Sequence, residues 1–149
     1  MNLLEVCSHQ IVIAPKSATV IEVAKLMREK HVGSVLVMNE GVPRRPIGIV
    51  TDRDIVIKAV AFADQKTVTS IEDVMSTHLV IAPGATEIYE ALQLMRDRGV
   101  RRLLVVDSSG NVEGIATFDD LLPLMAQELG SMAQAIAAGL LREENNRVY

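Results

Sequence analysis

The sequence predicts a mixed α/β (α+β) fold: two copies of one β-α-β-β-α unit packed together, followed by a C-terminal helical extension. Three observations predict it. Ile13-Ala14-Pro15 returns as Ile81-Ala82-Pro83, and Leu26-Met27-Arg28 as Leu94-Met95-Arg96, both 68 positions on. Gly48-Ile49-Val50-Thr51 with Asp54 returns as Gly114-Ile115-Ala116-Thr117 with Asp120, 66 positions on, so the second copy is two residues shorter in between. Within each copy, short β-rich runs alternate with stretches whose apolar residues follow a helical period. Internal repetition decides the fold before any local signal does. A unit of roughly 50 residues does not cover its own apolar sheet face, whereas two packed together do.

The elements follow in order. Ile11-Val12-Ile13 is a short strand stopped by Pro15. Val20, Val23, Ala24 and Met27 then hold the i, i+3, i+4, i+7 spacing of a helix with one buried face. Thr19 with Glu22 three residues later forms a capping box at its start. Gly33 breaks the pattern, and Val35-Leu36-Val37-Met38 reads as a buried strand. Asn39 to Pro46, with Gly41, Pro43, Arg44 and Arg45, is a loop. Ile47 to Val50 is a second strand, and Thr51 opens a helix carrying Ile55, Val56 and Ala59.

Asp64-Gln65-Lys66-Thr67 reads as a linker. Ser70 to Met75 leads into the second copy, as Leu3 to Cys7 leads into the first. Leu79-Val80-Ile81, stopped by Pro83, is again a strand, and Ile88, Ala91, Leu92 and Met95 form a helical stripe ended near Gly99. Leu103 to Val106 and Val112 to Ala116 are strands joined by the hairpin-type turn Asp107-Ser108-Ser109-Gly110-Asn111. Thr117 opens the last repeat helix. Beyond it, Leu121, Met125, Leu129, Met132, Ile136 and Leu140 keep helical spacing. This stripe is one long helix or two broken at Gly130, and it serves either to cover the core or to make a dimer contact. The reading divides the chain into repeats at residues 7–66 and 75–130 and an extension at 131–149.

Composition narrows the function. The chain has 149 residues, 49% of them hydrophobic, which suits a packed globule. A net charge of -4 supplies no basic field, so nucleic acid and anionic membrane are not expected partners. Aromatics make up 3% of residues with no Trp, too few for a base-stacking platform. No signal-peptide pattern or apolar run of membrane-spanning length occurs, and Cys7 is the single cysteine. A cytoplasmic location is therefore expected.

The doubled Gly-x-x-Thr-x-x-Asp is the strongest candidate for chemistry. Each copy starts in a buried strand and ends in the first turn of a helix, placing Thr51 and Asp54, and Thr117 and Asp120, beside free backbone N–H groups. An ionised Asp accepts hydrogen bonds from a pair of neighbouring hydroxyls such as a ribose diol, and Thr with nearby N–H groups suits phosphate. The same Thr-x-x-Asp is also nearly a capping box, and both readings stay open.

Arg101 and Arg102 stand where the chain enters a buried strand, and alternation turns one of them away from the core. An Arg there offers a planar fork for phosphate. Gly33 and Ser34 hold the equivalent positions in the first copy. Two clefts of unequal preference are expected, the second copy's taking more phosphate charge and Arg53 partly offsetting this at the first. Arg96 and Arg98 suit the end of a helix. His78 precedes a strand and is a candidate cleft residue; His9 and His31 stand alone. No nucleophile motif, phosphate-binding Gly-rich loop or metal-ligand spacing appears, so no catalytic and no metal-binding residue is assigned and no enzyme is expected.

Asp73-Val74-Met75-Ser76, Arg101 to Asp107 and Gly114 to Thr117 resemble the pattern of the cystathionine β-synthase (CBS) domain, as do Val32 to Val37 and Gly48 to Asp54. The doubling resembles a tandem CBS pair, or Bateman module, over residues 1 to about 130. The resemblance implies pseudo-two-fold packing with two clefts that bind AMP, ADP, ATP or S-adenosylmethionine as regulatory ligand, with no obligatory cofactor. It places Asp54 and Asp120 on ribose, Thr51 and Thr117 near phosphate, and Arg101 and Arg102 as the basic residues. Groups around Ser8 to Val12 and Thr77 to Ile81, Val12 and Val80 included, surround the base. It further implies a homodimer and a regulatory role, here toward a separate protein partner. The alternative is a ligand-free oligomerisation or interaction module.

Overall fold

The computed structural model describes residues 1–43, 45–62 and 70–146. The linker Asp64–Thr67, the first repeat's expected end at 66 and Arg44 lie outside them. The described chain runs α1 (Leu3–Val6), β1 (Ile13–Pro15), α2 (Val20–Lys30), β2 (Ser34–Met38), β3 (Pro46–Thr51), α3 (Asp52–Lys58) and a 3-10 turn (Val60–Phe62). After a second 3-10 turn (Ile71–Asp73) come β4 (Ile81–Pro83), α4 (Ile88–Arg98), β5 (Arg102–Val106), β6 (Val112–Thr117) and α5 (Phe118–Asn146).

Each repeat builds one three-stranded sheet, β1-β2-β3 and β4-β5-β6. The first strand runs parallel to the second and the third runs antiparallel to it, with matching registers: Leu36 faces Ile49 as Leu104 faces Ile115. Strands β2 and β5 are buried along three consecutive residues, as central strands covered on both faces must be. One face carries the repeat's helices. The other meets its counterpart in a shared cluster of Leu36, Leu104 and Ile115, with Ile11, Ile49 and Leu79 packed around it. The repeats thus cover each other's apolar sheet faces, as predicted.

Sequence and structure differ at several boundaries. Strands β1 and β4 start two residues later than the apolar runs and include the prolines expected to stop them. Proline is tolerated because each lies at the end of an edge strand. Helix α2 ends not at Gly33 but on His31, which adopts the left-handed conformation (φ 53°) that Gly99 (φ 64°) adopts after α4. The capping box at Thr19 and Glu22 is present. In the hairpin turn, Asp107 accepts the backbone N–H groups of Ser109 and Asn111, both at 2.8 Å.

The lead-in segments cross over. Leu3 and Cys7 are buried in the core of the second repeat, with Ala82, Leu103 and Leu121. Ile71 and Val74 are buried in the core of the first, with Val35, Val50 and Ile55. Each crossing segment is fixed by a reciprocal pair of backbone hydrogen bonds, Ser8 with Ile115 and Ser76 with Ile49. The repeat glycines make these crossings possible. A Cβ on Gly48 would stand 2.6 Å from Met75 Sδ, and one on Gly114 2.5 Å from Cys7 Sγ and 2.9 Å from the Ser8 carbonyl oxygen.

Helix α5 is one unbroken element of 29 residues, so the boundary expected at 130/131 falls inside it. Leu121 is fully buried and Leu124 and Met125 pack against the second core, while residues 126–145 are all exposed. The apolar stripe covers the core only in its first two turns.

Candidate functional site

Strand β3 ends at Thr51, and the chain turns directly into α3. The Thr51 hydroxyl accepts the Asp54 backbone N–H at 3.1 Å. Asp54 Oδ2 in turn accepts the Thr51 backbone N–H at 3.0 Å and the Thr51 hydroxyl at 2.7 Å. Thr117 and Asp120 repeat this arrangement, with bonds of 3.2, 2.9 and 2.7 Å. Both Thr-x-x-Asp motifs are therefore capping boxes with Asp in place of the usual Glu.

The copies differ at the other carboxylate oxygen. Asp54 Oδ1 pairs with Lys58 Nζ at 2.9 Å, and the same ammonium donates to the Val74 carbonyl at 2.8 Å. Leu124 holds the corresponding position in the second copy. Burial works to raise the Asp54 pKa, but the Thr51 and Lys58 donors together hold the carboxyl below the usual carboxylate range. Each carboxylate oxygen has two lone pairs. Asp54 Oδ2 has both occupied and Oδ1 has one, leaving one acceptor direction, so Asp54 as it stands does not receive both hydroxyls of a diol.

Thr51 and Asp54 line a cleft between the repeats that encloses about 170 Å³. The second repeat supplies the facing wall: His78, Leu79 and Val80 ahead of β4, and Val100 to Leu104 at the entry to β5. Leu36, Ile49, Leu104 and Ile115 form its floor. Arg101 is exposed, and Arg102 is half-buried with its Nε enclosed and without a hydrogen-bond partner among the described residues. A buried donor left in that state costs on the order of 1–3 kcal/mol.

The site therefore joins residues that the repeat logic had kept apart. Arg101 and Arg102 stand with the first copy's Thr51 and Asp54, because the sheets meet face to face and this cleft draws one wall from each repeat. Arg101 and Arg102 line this cleft, and Arg102 is at the same time the register partner of Thr117 across β5 and β6. Of the other candidates, His78 and Val80 line the cleft, whereas Val12, Gly33, Ser34, Arg53, Thr117 and Asp120 do not. Ser34 pairs with Thr51 across β2 and β3, and Gly33 accepts the Asp52 N–H, so both sit behind that strand end. Arg53 is exposed beside the cap. Lys58 was not singled out from the sequence, although its i+4 spacing from Asp54 signals the pair.

No group of three or more His, Cys, Asp or Glu that would hold a metal occurs among the described residues. No helix among them is long and apolar enough to cross a membrane.

The family model of the CBS domain matches residues 4–60 and again 71–127. An uncharacterized protein of Methanopyrus kandleri is 38% identical over 118 residues, covering 79% of this chain and 59% of its own. The CBS domain-containing protein YhcV of Bacillus subtilis is 35% identical over 120 residues, covering 80% and 82%. The CBS domain pair of MJ0100, solved with 5'-methylthioadenosine and S-adenosyl-L-methionine, superposes with a TM-score of 0.71 at 20% identity, covering 86% of this chain and 98% of that one. CBSX2, solved with AMP, superposes at 0.66 and 21% identity, covering 85% and 96%. At these identities the two structures establish the shared fold.

Proposed function

The chain belongs to the CBS domain family as a tandem pair, and on that premise we propose that it is a non-enzymatic regulatory module of the cytoplasm. An adenine nucleotide is its ligand, bound in the cleft between the repeats, and a separate protein partner reads its occupancy. One observation carries this reading: the inter-repeat cleft joins an apolar floor and the Leu79–Val80 wall to Arg101 and Arg102. The flat apolar part suits a purine and the guanidinium fork suits phosphate. The 170 Å³ enclosed is below the roughly 300–1,000 Å³ of drug-sized ligand pockets, so the base sits inside and the phosphates lie at the mouth beside exposed Arg101.

Asp54 contributes one acceptor to a ribose hydroxyl through Oδ1 while its other oxygen holds the cap. Two fold neighbours carry adenosyl ligands, which agrees with this choice of ligand class. A ligand spanning walls from both repeats binds one relative placement of them more tightly than others, and that difference is what a partner can sense.

Thermal melts of the full chain with AMP, ADP, ATP and S-adenosylmethionine, with GTP for specificity, test the proposal. A ligand at 100 times its Kd adds about 2.7 kcal/mol. For a chain of this size that is a rise of about 5–10 °C. Arg101→Ala with Arg102→Ala abolishes the shift for the phosphate-bearing ligands. No shift with any of the adenosyl ligands at millimolar concentration refutes the reading.

A further inference from the structure

Helix α5 leaves the body of the molecule after Met125 and carries an apolar face that nothing among the described residues covers. Leu129, Met132, Ile136 and Leu140 are 64, 61, 67 and 58% exposed. From Leu121 to Leu141 the only charged residue is Glu128. The apolar positions are not spaced at random: Leu122, Met125, Leu129, Met132 and Ile136 alternate by three and four residues, the a/d pattern of a coiled-coil seam. The pattern continues to Gly139 and ends at Glu143.

The charges identify the partner. In this register Glu128 and Arg142 both fall at g, the position that sets orientation by pairing across the seam. In an antiparallel pair g faces g, so two copies of α5 crossing at residue 134 bring each Glu128 against the other copy's Arg142. The same crossing seats Met132 against Ile136 and places Leu129 opposite Gly139, large against small. A parallel pair sets each g against the e five residues on, which gives Glu128 the uncharged Ala133 and gives Arg142 no acidic partner.

We propose that the exposed half of α5 is the surface through which two copies of this chain associate, as an antiparallel two-helix seam closed by two symmetric Glu128–Arg142 pairs. Crossing at residue 134 sets the Met125 end of one copy beside residue 143 of the other. The two repeat pairs then lie at opposite ends of the seam, about 27 Å apart along it at 1.5 Å per residue. This assigns association to the helix and not to the repeats, and it stands independently of what the cleft binds.

Sedimentation velocity of the full chain across the micromolar range tests it. The unaltered chain sediments as a monomer–dimer system. Met132→Glu with Ile136→Glu sediments as a monomer, with the fold intact by circular dichroism, because both side chains face solvent in the single chain. Glu128→Arg and Arg142→Glu each weaken the dimer about tenfold, since each turns two attractive contacts repulsive. The double reversal, Glu128→Arg with Arg142→Glu, restores it. A monomeric unaltered chain overturns the proposal, and so does a dimer indifferent to Met132→Glu with Ile136→Glu, which would pair through the repeats. A double reversal that does not restore the dimer overturns the antiparallel arrangement.

Discussion

Gly114→Ala tests whether the second repeat glycine exists to admit the crossing N-terminal segment. The added methyl would stand 2.5 Å from Cys7 Sγ, 3.2 Å from Cys7 Cβ and 2.9 Å from the Ser8 carbonyl oxygen. Cys7 is only 7% exposed and has one side-chain torsion, so the sulfur has little room to yield. Relief must come from the Ser8 backbone, which holds two 3.0 Å hydrogen bonds with Ile115. Overpacking a core costs about 1–3 kcal/mol, and weakening the two bonds adds about 1 kcal/mol. The alanine returns roughly 0.5–1 kcal/mol through the unfolded chain. The expected net loss is about 2–3 kcal/mol, read as a fall of about 1–1.5 M in the urea midpoint for a slope near 2 kcal/mol/M. Cys7→Ala in the same chain recovers part of the loss but not all, because the Ser8 oxygen remains. Gly130→Ala, with nothing within 4 Å of the added carbon, is the control and loses nothing. A Gly114→Ala loss below about 0.5 kcal/mol would refute the close-approach account.

Gly48→Ala costs less than Gly114→Ala, since its nearest neighbour, Met75 Sδ at 2.6 Å, is on a flexible side chain; urea titration of both ranks them. Asp54 is held below the usual carboxylate range in the folded chain, so its stabilisation is present above that range and lost as pH falls through the lowered pKa. Asp54→Asn therefore lowers stability at neutral pH and flattens the acid limb below about pH 4, as read from urea midpoints against pH; an unchanged acid limb contradicts the pairing with Thr51 and Lys58. His31→Gly places glycine where the backbone is already left-handed, and stabilises by about 0.5 kcal/mol in the same assay. Burial pushes the Cys7 thiol up, so a thiol reagent labels the native chain slowly and rapidly only in denaturant; fast labelling of native protein would contradict its burial.

The pattern of residues reported much of this molecule because the fold is made of faces. The stripe Val20, Val23, Met27 and the run Val35 to Val37 each declare one buried side, and saying so twice declares that two such units pack. What spacing does not report is which neighbour lies behind a face. Leu3 and Ile71 read as apolar lead-ins to the repeats they precede, and each is buried in the other repeat. The cleft escaped the sequence for the same reason: Thr51 and Arg102 are 51 positions apart and meet only across the sheet interface. At Gly130 local chemistry left one helix or two open, and the helix penalty of about 1 kcal/mol there is outweighed by the Ala- and Leu-rich turns on either side of it. His31 shows the converse, since nothing about histidine announces a left-handed cap that a glycine fills in the sister repeat.

The crossed lead-in segments mean that the halves of the chain are not the halves of the fold. Each core is closed by a plug that the other half's sequence carries: Leu3 for the repeat of α4, β5 and β6, Ile71 and Val74 for the repeat of α2, β2 and β3. A fragment ending before residue 63 would present Leu3 with nothing to fill and a seat with nothing in it. A fragment beginning at residue 70 would hold the missing occupant and lack its own. Mixed, the two are complements, and in the intact chain neither repeat can melt without drawing the other's plug. The repetition here gives not two domains in a row but a single unit with an exchanged clasp.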